Sequence, residues 1–130
     1  MKGFPPHVKG IVLDTNMLLV PYQFGVDVLE EIRRILPGVK VYTIPQVVRE
    51  VKKLARGSLH ERLGARIAER LLERIEVLDV DPEVPTDRML VHLAKEGYVV
   101  ATNDRELRKK IREIGGYSIY LREKNHLELG

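Results

Sequence analysis

No cysteine occurs among the 130 residues. That removes disulfides, thiolate metal sites and cysteine nucleophiles together, and leaves oxygen and histidine as metal donors. Tryptophan is also missing and aromatics make up 5% of the chain. Tyr42, Tyr98, Tyr117 and Tyr120 fall in apolar stretches that read as strands, so a base-stacking platform is not expected. No apolar run approaches the roughly 18 to 20 residues needed to span a bilayer. The opening MKGFPPHVKG has no apolar signal core, so the expectation is a cytoplasmic protein without membrane contact. A strong excess of one charge is lacking too. Lys and Arg number 22 against 19 Asp and Glu, giving +3, which permits a polyanionic partner without requiring one.

What remains is a chain 44% hydrophobic and 32% charged, a balance that suits neither disorder nor a membrane interior. Its length fits one domain over residues 1–130. Short β-branched runs alternate with longer stretches whose apolar residues lie three and four apart, the pattern of a βαβα chain. Strands are expected from Gly10 to Leu13, Val39 to Thr43, Glu76 to Val80, Tyr98 to Ala101 and Tyr117 to Leu121. Right-handed crossovers would join them in a parallel sheet. Val28, Leu29, Ile32, Ile35 and Leu36 mark a helix stopped by Pro37-Gly38. Pro45 suits the first turn of a helix to about Arg56, and Leu59, Leu63, Ile67, Leu71 and Ile75 recur every fourth residue on the next. Thr86 can cap a helix burying Met89, Leu90, Leu93 and Ala94, and Leu107, Ile111 and Ile114 mark the last.

In such a sheet, ligands gather beyond the carboxyl ends of the strands, where connections diverge to opposite faces. Asp14 directly follows Ile11-Val12-Leu13, and Asp104 follows Val99-Val100-Ala101 through Thr102-Asn103, so two strands end in an acid beside an Asn. Glu50 borders the apolar face of its helix within the first two turns, which keeps it near the strand edge. Asp87 opens the helix after the third strand. Four convergent carboxylates repel: two charges ~4 Å apart cost about 4 kcal/mol at an effective dielectric of ~20. A hard divalent cation with oxygen ligands, Mg²⁺ or Mn²⁺, neutralises them, and such an ion activates water in line with a phosphodiester. Singly, plainer roles compete. Asp87 can complement a helix dipole, and Asn103 with Glu106 can form a capping pair that leaves Asp104 as a first-turn acid. Glu50 can be a solvated glutamate. Asp14 shows no evident cap or pairing role.

Val12-Leu13-Asp14-Thr15-Asn16, Pro45-Gln46-Val47-Val48-Arg49-Glu50, Asp87 and Ala101-Thr102-Asn103-Asp104 together resemble the successive motifs of PIN domains, over nearly the whole chain. The resemblance implies an α/β three-layer sandwich with a five-stranded parallel sheet in the order 3-2-1-4-5. It also implies a metal-dependent ribonuclease using Mg²⁺ or Mn²⁺. It carries over Asp14, Glu50, Asp87 and Asp104 as catalytic, metal-binding acids, with Asn16, Thr102 and Asn103 as supporting polar residues. Asp81 is the alternative to Asp87 as the third acid, because Thr86-Asp87 stands where the family usually has an acid pair.

The substrate surface is expected on Arg49, Lys52, Lys53 and Arg56, a basic stripe beside Glu50. Arg62, Arg66, Arg70 and Arg74 are interleaved with Glu61, Glu69 and Glu73, which reads as a solvated or oligomer-facing helix with local ion pairs. Arg105, Arg108, Lys109, Lys110 and Arg112 form a third basic region beside Asp104. His7, His60, His92 and His126 have no metal-like spacing and read as surface residues. Resemblance leaves two roles open: a toxin-like ribonuclease held by an antitoxin, or an rRNA-processing protein with a ribosome-assembly partner. It also suggests a homodimer through the apolar part of the Leu59 to Ile75 helix. The competing readings are a non-catalytic RNA-binding or assembly module and a receiver-like phospho-acceptor domain. The latter wants an acidic pair after the first strand and a Lys after the last, where Asn16 and Leu121-Arg122 stand. The PIN branch that carries a zinc ribbon is set aside by the lack of cysteine.

Overall fold

The computed structural model describes Pro5 and residues 7–130, so half of the ten-residue opening segment read above for a signal core lies outside the described residues. The chain begins with β1 (Gly10–Leu13), buried at all four positions, which means that both faces of the sheet are covered at its centre. Two single-turn helices follow, α1 (Thr15–Leu18) and α2 (Val20–Phe24), then α3 (Val28–Ile35). Gly38, at φ +79°, reverses the chain as Pro37-Gly38 foretold. It enters β2 (Val41–Thr43), two residues shorter at its start than expected.

After β2, α4 (Pro45–Leu54) starts with Pro45 in its first turn. Next, α5 (Leu59–Leu72) is opened by a capping box in which the Ser58 side chain and Glu61 satisfy each other's backbone N–H groups. The buried face of α5 is Gly64, Ala65, Ala68 and Leu71, so of the every-fourth-residue apolar row Leu71 alone is buried. Leu59 and Leu63 are left 63% and 38% exposed. Small residues win that face because α2 lies against it: a Cβ on Gly64 would meet Leu19 at 3.1 Å and Tyr22 at 3.3 Å.

β3 (Glu76–Val77) is a short exposed edge strand, three residues less than the run to Val80 suggested. The chain continues through α6 (Thr86–Lys95), β4 (Tyr98–Ala101), α7 (Arg105–Glu113), β5 (Ser118–Arg122) and β6 (His126–Leu129). The sheet order is β3-β2-β1-β4-β5-β6. The first five strands pair in parallel and β6 pairs antiparallel with β5. The 3-2-1-4-5 order therefore holds, with a sixth strand added. Because β1 lies centrally, crossovers run outward from it in both directions. Right-handed connection then places their helices on opposite faces, as a three-layer α/β sandwich requires.

The outer edge of β6 is not left open. Leu127 N–H donates to Glu31 Oε1 at 3.0 Å, and its carbonyl accepts from Arg34 Nη2 at 2.9 Å. Glu31 and Arg34 are themselves paired at 3.1 Å. The Arg34 bond and the Leu127 N–H hold the Glu31 carboxyl below its ordinary pKa. One helix pair thus caps strand groups that would otherwise offer a pairing edge.

Candidate active site

The carboxyl ends of β1 and β4 lie side by side, with Leu13 paired to Ala101, and the crossovers leave the sheet in opposite directions at this crevice. Asp14 and Thr102 are the next residue of each strand. Asp14 is 7% exposed and Thr102 fully buried. The Asp14 carboxylate accepts from Thr15 N–H at 2.8 Å, from Thr102 Oγ1 at 2.9 Å and from Asn16 Nδ2 at 3.2 Å. Asp14 is thereby the N-cap of α1, a cap role that is not evident in the sequence because α1 is only one turn long.

Asn16 ties the crevice together. Its Nδ2 also donates to Thr102 Oγ1 at 3.3 Å, and its Oδ1 accepts from Asn103 N–H at 2.9 Å. Asn103 Oδ1 in turn accepts from Leu121 N–H at 2.8 Å, which fixes the loop after β4 to β5. Asn103 is consequently not the cap of α7. That place belongs to Asp104, whose Oδ1 accepts from Glu106 N–H at 2.9 Å and Leu107 N–H at 3.2 Å, while its own N–H donates to Thr102 Oγ1 at 3.2 Å. Asp104 is exposed.

Glu50, half-buried on α4, is gripped from two sides. Thr86 Oγ1 donates to its Oε2 at 2.6 Å, and Thr15 Oγ1 donates to its Oε1. Thr86 does not cap α6, whose N-cap is Pro85; its hydroxyl serves Glu50 instead. Thr15 and Thr86 are the two residues at this site that sequence reasoning did not assign to it. Their signal was adjacency, since each is a hydroxyl next to a candidate acid.

Burial is the main force on Asp14: it pushes the carboxyl up to about 6, against the hydrogen bonds from Thr15 and Thr102, and the charges of Glu50 and Asp87 push the same way. Of the two candidates for the third acid, Asp87 is therefore the one whose charge bears on Asp14. Asp81 uses its Oδ1 to accept from Glu83 N–H at 2.9 Å, closing a local turn. The loop carrying it is held to α4 by Gln46 Nε2, which donates to the carbonyls of Asp81 at 3.0 Å and Val84 at 2.8 Å.

Among the described residues, no three His, Asp or Glu side chains are grouped closely enough to hold an ion as they stand. Glu50 is engaged by the two hydroxyls and Asp104 by the α7 cap. The donor set nevertheless suits a hard divalent cation: a buried carboxylate with no cationic partner among the described residues, two further acids within reach of its charge, and oxygen donors throughout. Nitrogen and sulfur donors that would favour other metals are not part of it.

Beside Glu50, Arg49 and Lys53 join Gln46, Pro82, Val84 and Thr86 around a cleft of about 260 Å³. Arg49 donates to the Pro82 carbonyl and lies 3.8 Å from Glu83, so it is already engaged. Lys52 and Lys53 are exposed and have no ion pair among the described residues. On α5, the expected ion pairs with Arg62, Arg66, Arg70 and Arg74 do not form among the described residues, Glu61 being committed to the Ser58 cap.

Similarity to known proteins bears on the whole of this arrangement. Residues 11–124 match a family described as PIN like domain. Ribonuclease VapC9 of Archaeoglobus fulgidus is 36% identical over 127 residues, covering 94% of this chain and 90% of that protein. Ribonuclease VapC4 of Methanocaldococcus jannaschii is 26% identical, covering 92% and 95%. Among solved structures, the PIN domain endonuclease Utp24 superposes with a TM-score of 0.73 at 26% identity, over 97% of this chain and 92% of its own. The receiver-like reading fails on the strand order, which in receivers is 2-1-3-4-5. With family match, strand order and strand-end acids in agreement, the chain belongs to the PIN-like domain family.

Proposed function

We propose that this protein is a metal-dependent ribonuclease that cuts RNA internally. The observation that carries the reading is Asp14, a buried carboxylate at the end of the central strand, destabilised by its surroundings and by Glu50 and Asp87. A folded protein retains such a group when binding something repays its cost. Relatives named ribonuclease and endonuclease support RNA as the substrate and internal cleavage as the mode.

Asp14, Glu50, Asp87 and Asp104 are the acids that would hold Mg²⁺ or Mn²⁺. A bound ion supplies a more acidic water and neutralises charge on the scissile phosphate. The chain's own residues do the placing. Thr102 and Asn16 orient Asp14, Thr15 and Thr86 orient Glu50, and Asn103 anchors the loop that presents Asp104. Closing three acids on one ion requires Glu50 or Asp104 to rotate from its present partners. Lys52 and Lys53 supply phosphate contacts beside Glu50.

Self-association through α5 belongs to the same reading, because Leu59 and Leu63 stay outside the core on a helix with an otherwise charged outer face. Light scattering should give twice the chain mass, and Leu59→Glu should return it to the monomer; a monomeric wild type at high concentration removes the dimer. For the activity, labelled single-stranded and hairpin RNAs are incubated with Mg²⁺, Mn²⁺ or EDTA. Internal fragments that require the metal are expected. Binding of RNA without any cleavage, in either metal, would instead favour the non-catalytic RNA-binding module.

A further inference from the structure

A second cleft, of about 590 Å³, runs between α6 and α7 and is lined by Pro85, Asp87, Arg88, Val91, His92, Lys95 and Lys110. Its α6 wall is two adjacent ridges, Asp87, Val91 and Lys95 on one, Arg88 and His92 on the other, each stepping by four residues along one helical face. From Asp87 to Lys95 the wall is about 12 Å long at 1.5 Å per residue. One end carries Asp87, the acid whose charge reaches Asp14, beside Arg88, and the other end carries Lys95.

The cations in this cleft are uncommitted. Arg88, Lys95 and Lys110 are exposed, and none has an ion-pair partner among the described residues. His92 faces Glu96 at 3.4 Å, and Glu96 also meets Lys9 at 3.9 Å. Val91 and Pro85 are its apolar lining residues, and Asp87 is the one acid in the lining. Unpaired cations cost nothing in water, but arranged along one groove they concentrate positive potential where a polyanion can lie. No Phe, Tyr or Trp is in the lining, where His92 carries the one ring, so the groove offers charge for backbone phosphate more than a stacking platform for bases. By contrast, the stripe beside Glu50 has already committed Arg49 to Pro82 and Glu83.

We infer that the α6–α7 groove is the track along which single-stranded RNA runs away from the acid site, with Arg88, Lys95 and Lys110 holding its phosphates. The inference rests on the ribonuclease reading and adds to it a binding surface on the Asp87 side. An RNA strand crossing the strand-end crevice would then be held on both flanks, by Lys52 and Lys53 on one and by this groove on the other. Continuity with Asp87 is what favours RNA over an acidic protein segment, since a strand leaving the groove at that end arrives at the carboxylates.

The test is fluorescence anisotropy of a labelled single-stranded RNA with the full chain in EDTA, across a salt series. It compares wild type, Lys95→Gln/Lys110→Gln, and a control of equal charge change on α5, Arg66→Gln/Arg70→Gln. Two lost phosphate contacts on a single strand should lower the slope of log affinity against log salt by roughly 1.4 and weaken binding roughly tenfold. The α5 control should match wild type. An unchanged slope and affinity in the groove variant overturns the groove while leaving the ribonuclease reading standing, provided wild type binds and cleaves. Equal losses in both variants also overturn it, because they reduce the effect to net charge. If the groove variant keeps its RNA affinity but loses binding to a labelled poly-glutamate peptide, the groove belongs to an acidic protein segment. A wild type that neither binds nor cleaves RNA takes down both readings together.

Discussion

Asp14 holds its charge where little water reaches it, and that has a measurable consequence for pH. Its folded carboxyl titrates near 6 against 3.8 for the free group. Between these values the native state holds more proton than the unfolded state, so this group's contribution to stability falls as pH rises through about 4 to 6 and stays low above it. The size is about 3 kcal/mol in the metal-free protein. Glu31 and Glu128, whose carboxyls are held below their ordinary range by Arg34 and His126 respectively, act in the opposite sense, but equally in wild type and in Asp14→Asn. Urea unfolding in EDTA at pH 7 and pH 5 should show wild type gaining stability on acidification relative to Asp14→Asn; parallel profiles would count against a buried, strained Asp14. The hydroxyls on Glu50 make a second claim at this scale. Thr15→Val and Thr86→Val should each weaken Mn²⁺ binding, by the roughly 10 to 100-fold typical when a ligand loses its orienting partner, and the Ser variants should restore it. Calorimetry with Val variants that bind like wild type would show the hydroxyls to be incidental.

At the scale of elements, what could be read in advance depended on whether an element's signal was local. β1 and β4 were legible to the residue, because Gly10-Ile11-Val12-Leu13 and Tyr98-Val99-Val100-Ala101 are apolar on both faces. So were Pro45 at the start of α4 and Gly38 after α3. β6 was not. The turn before it puts Glu123 and Lys124 at φ 54° and 60°, a geometry that hairpins usually signal with Asn-Gly or Asp-Gly, and His-Leu-Glu-Leu alone is too short to stand out. α1 and α2 were invisible as single turns, and with them the cap role of Asp14. The row from Leu59 to Ile75 marked an apolar face without saying what it meets: Leu71 turns into the core while Leu59 and Leu63 stay outside it, and α2 packs on the small residues of α5. Of the candidate site, the positions of Asp14 and Asp104 were readable from strand ends and that of Glu50 from its place on the helix, whereas the partners of Glu50 come from two distant segments. β6 itself carries weight. Leu127 is fully buried, and Leu127→Ala should cost about 2 to 5 kcal/mol in urea unfolding. Ser58→Ala, which removes the α5 cap, should cost about 1 kcal/mol. A neutral Leu127→Ala would mean that the hairpin contributes nothing to the core.

For the molecule as a whole, topology sets the place of the chemistry. Outward crossovers from a central β1 open one crevice at the strand ends, and the residues that follow β1 and β4 fill it with a hydrogen-bonded lattice of Asp14, Asn16, Thr102 and Asn103. Helices α4 and α6 bring Glu50 and Asp87 near enough for their charges to act on Asp14. Family membership fixes the fold and leaves the activity to be measured. The most direct measurement is single-turnover cleavage of an end-labelled RNA by wild type and Asp14→Asn in Mn²⁺, with both proteins shown to be folded by circular dichroism. Internal cuts by wild type that vanish in EDTA and in the variant are expected. Equal cleavage by the two proteins, or cleavage that persists in EDTA, would contradict a metal-dependent ribonuclease built on Asp14.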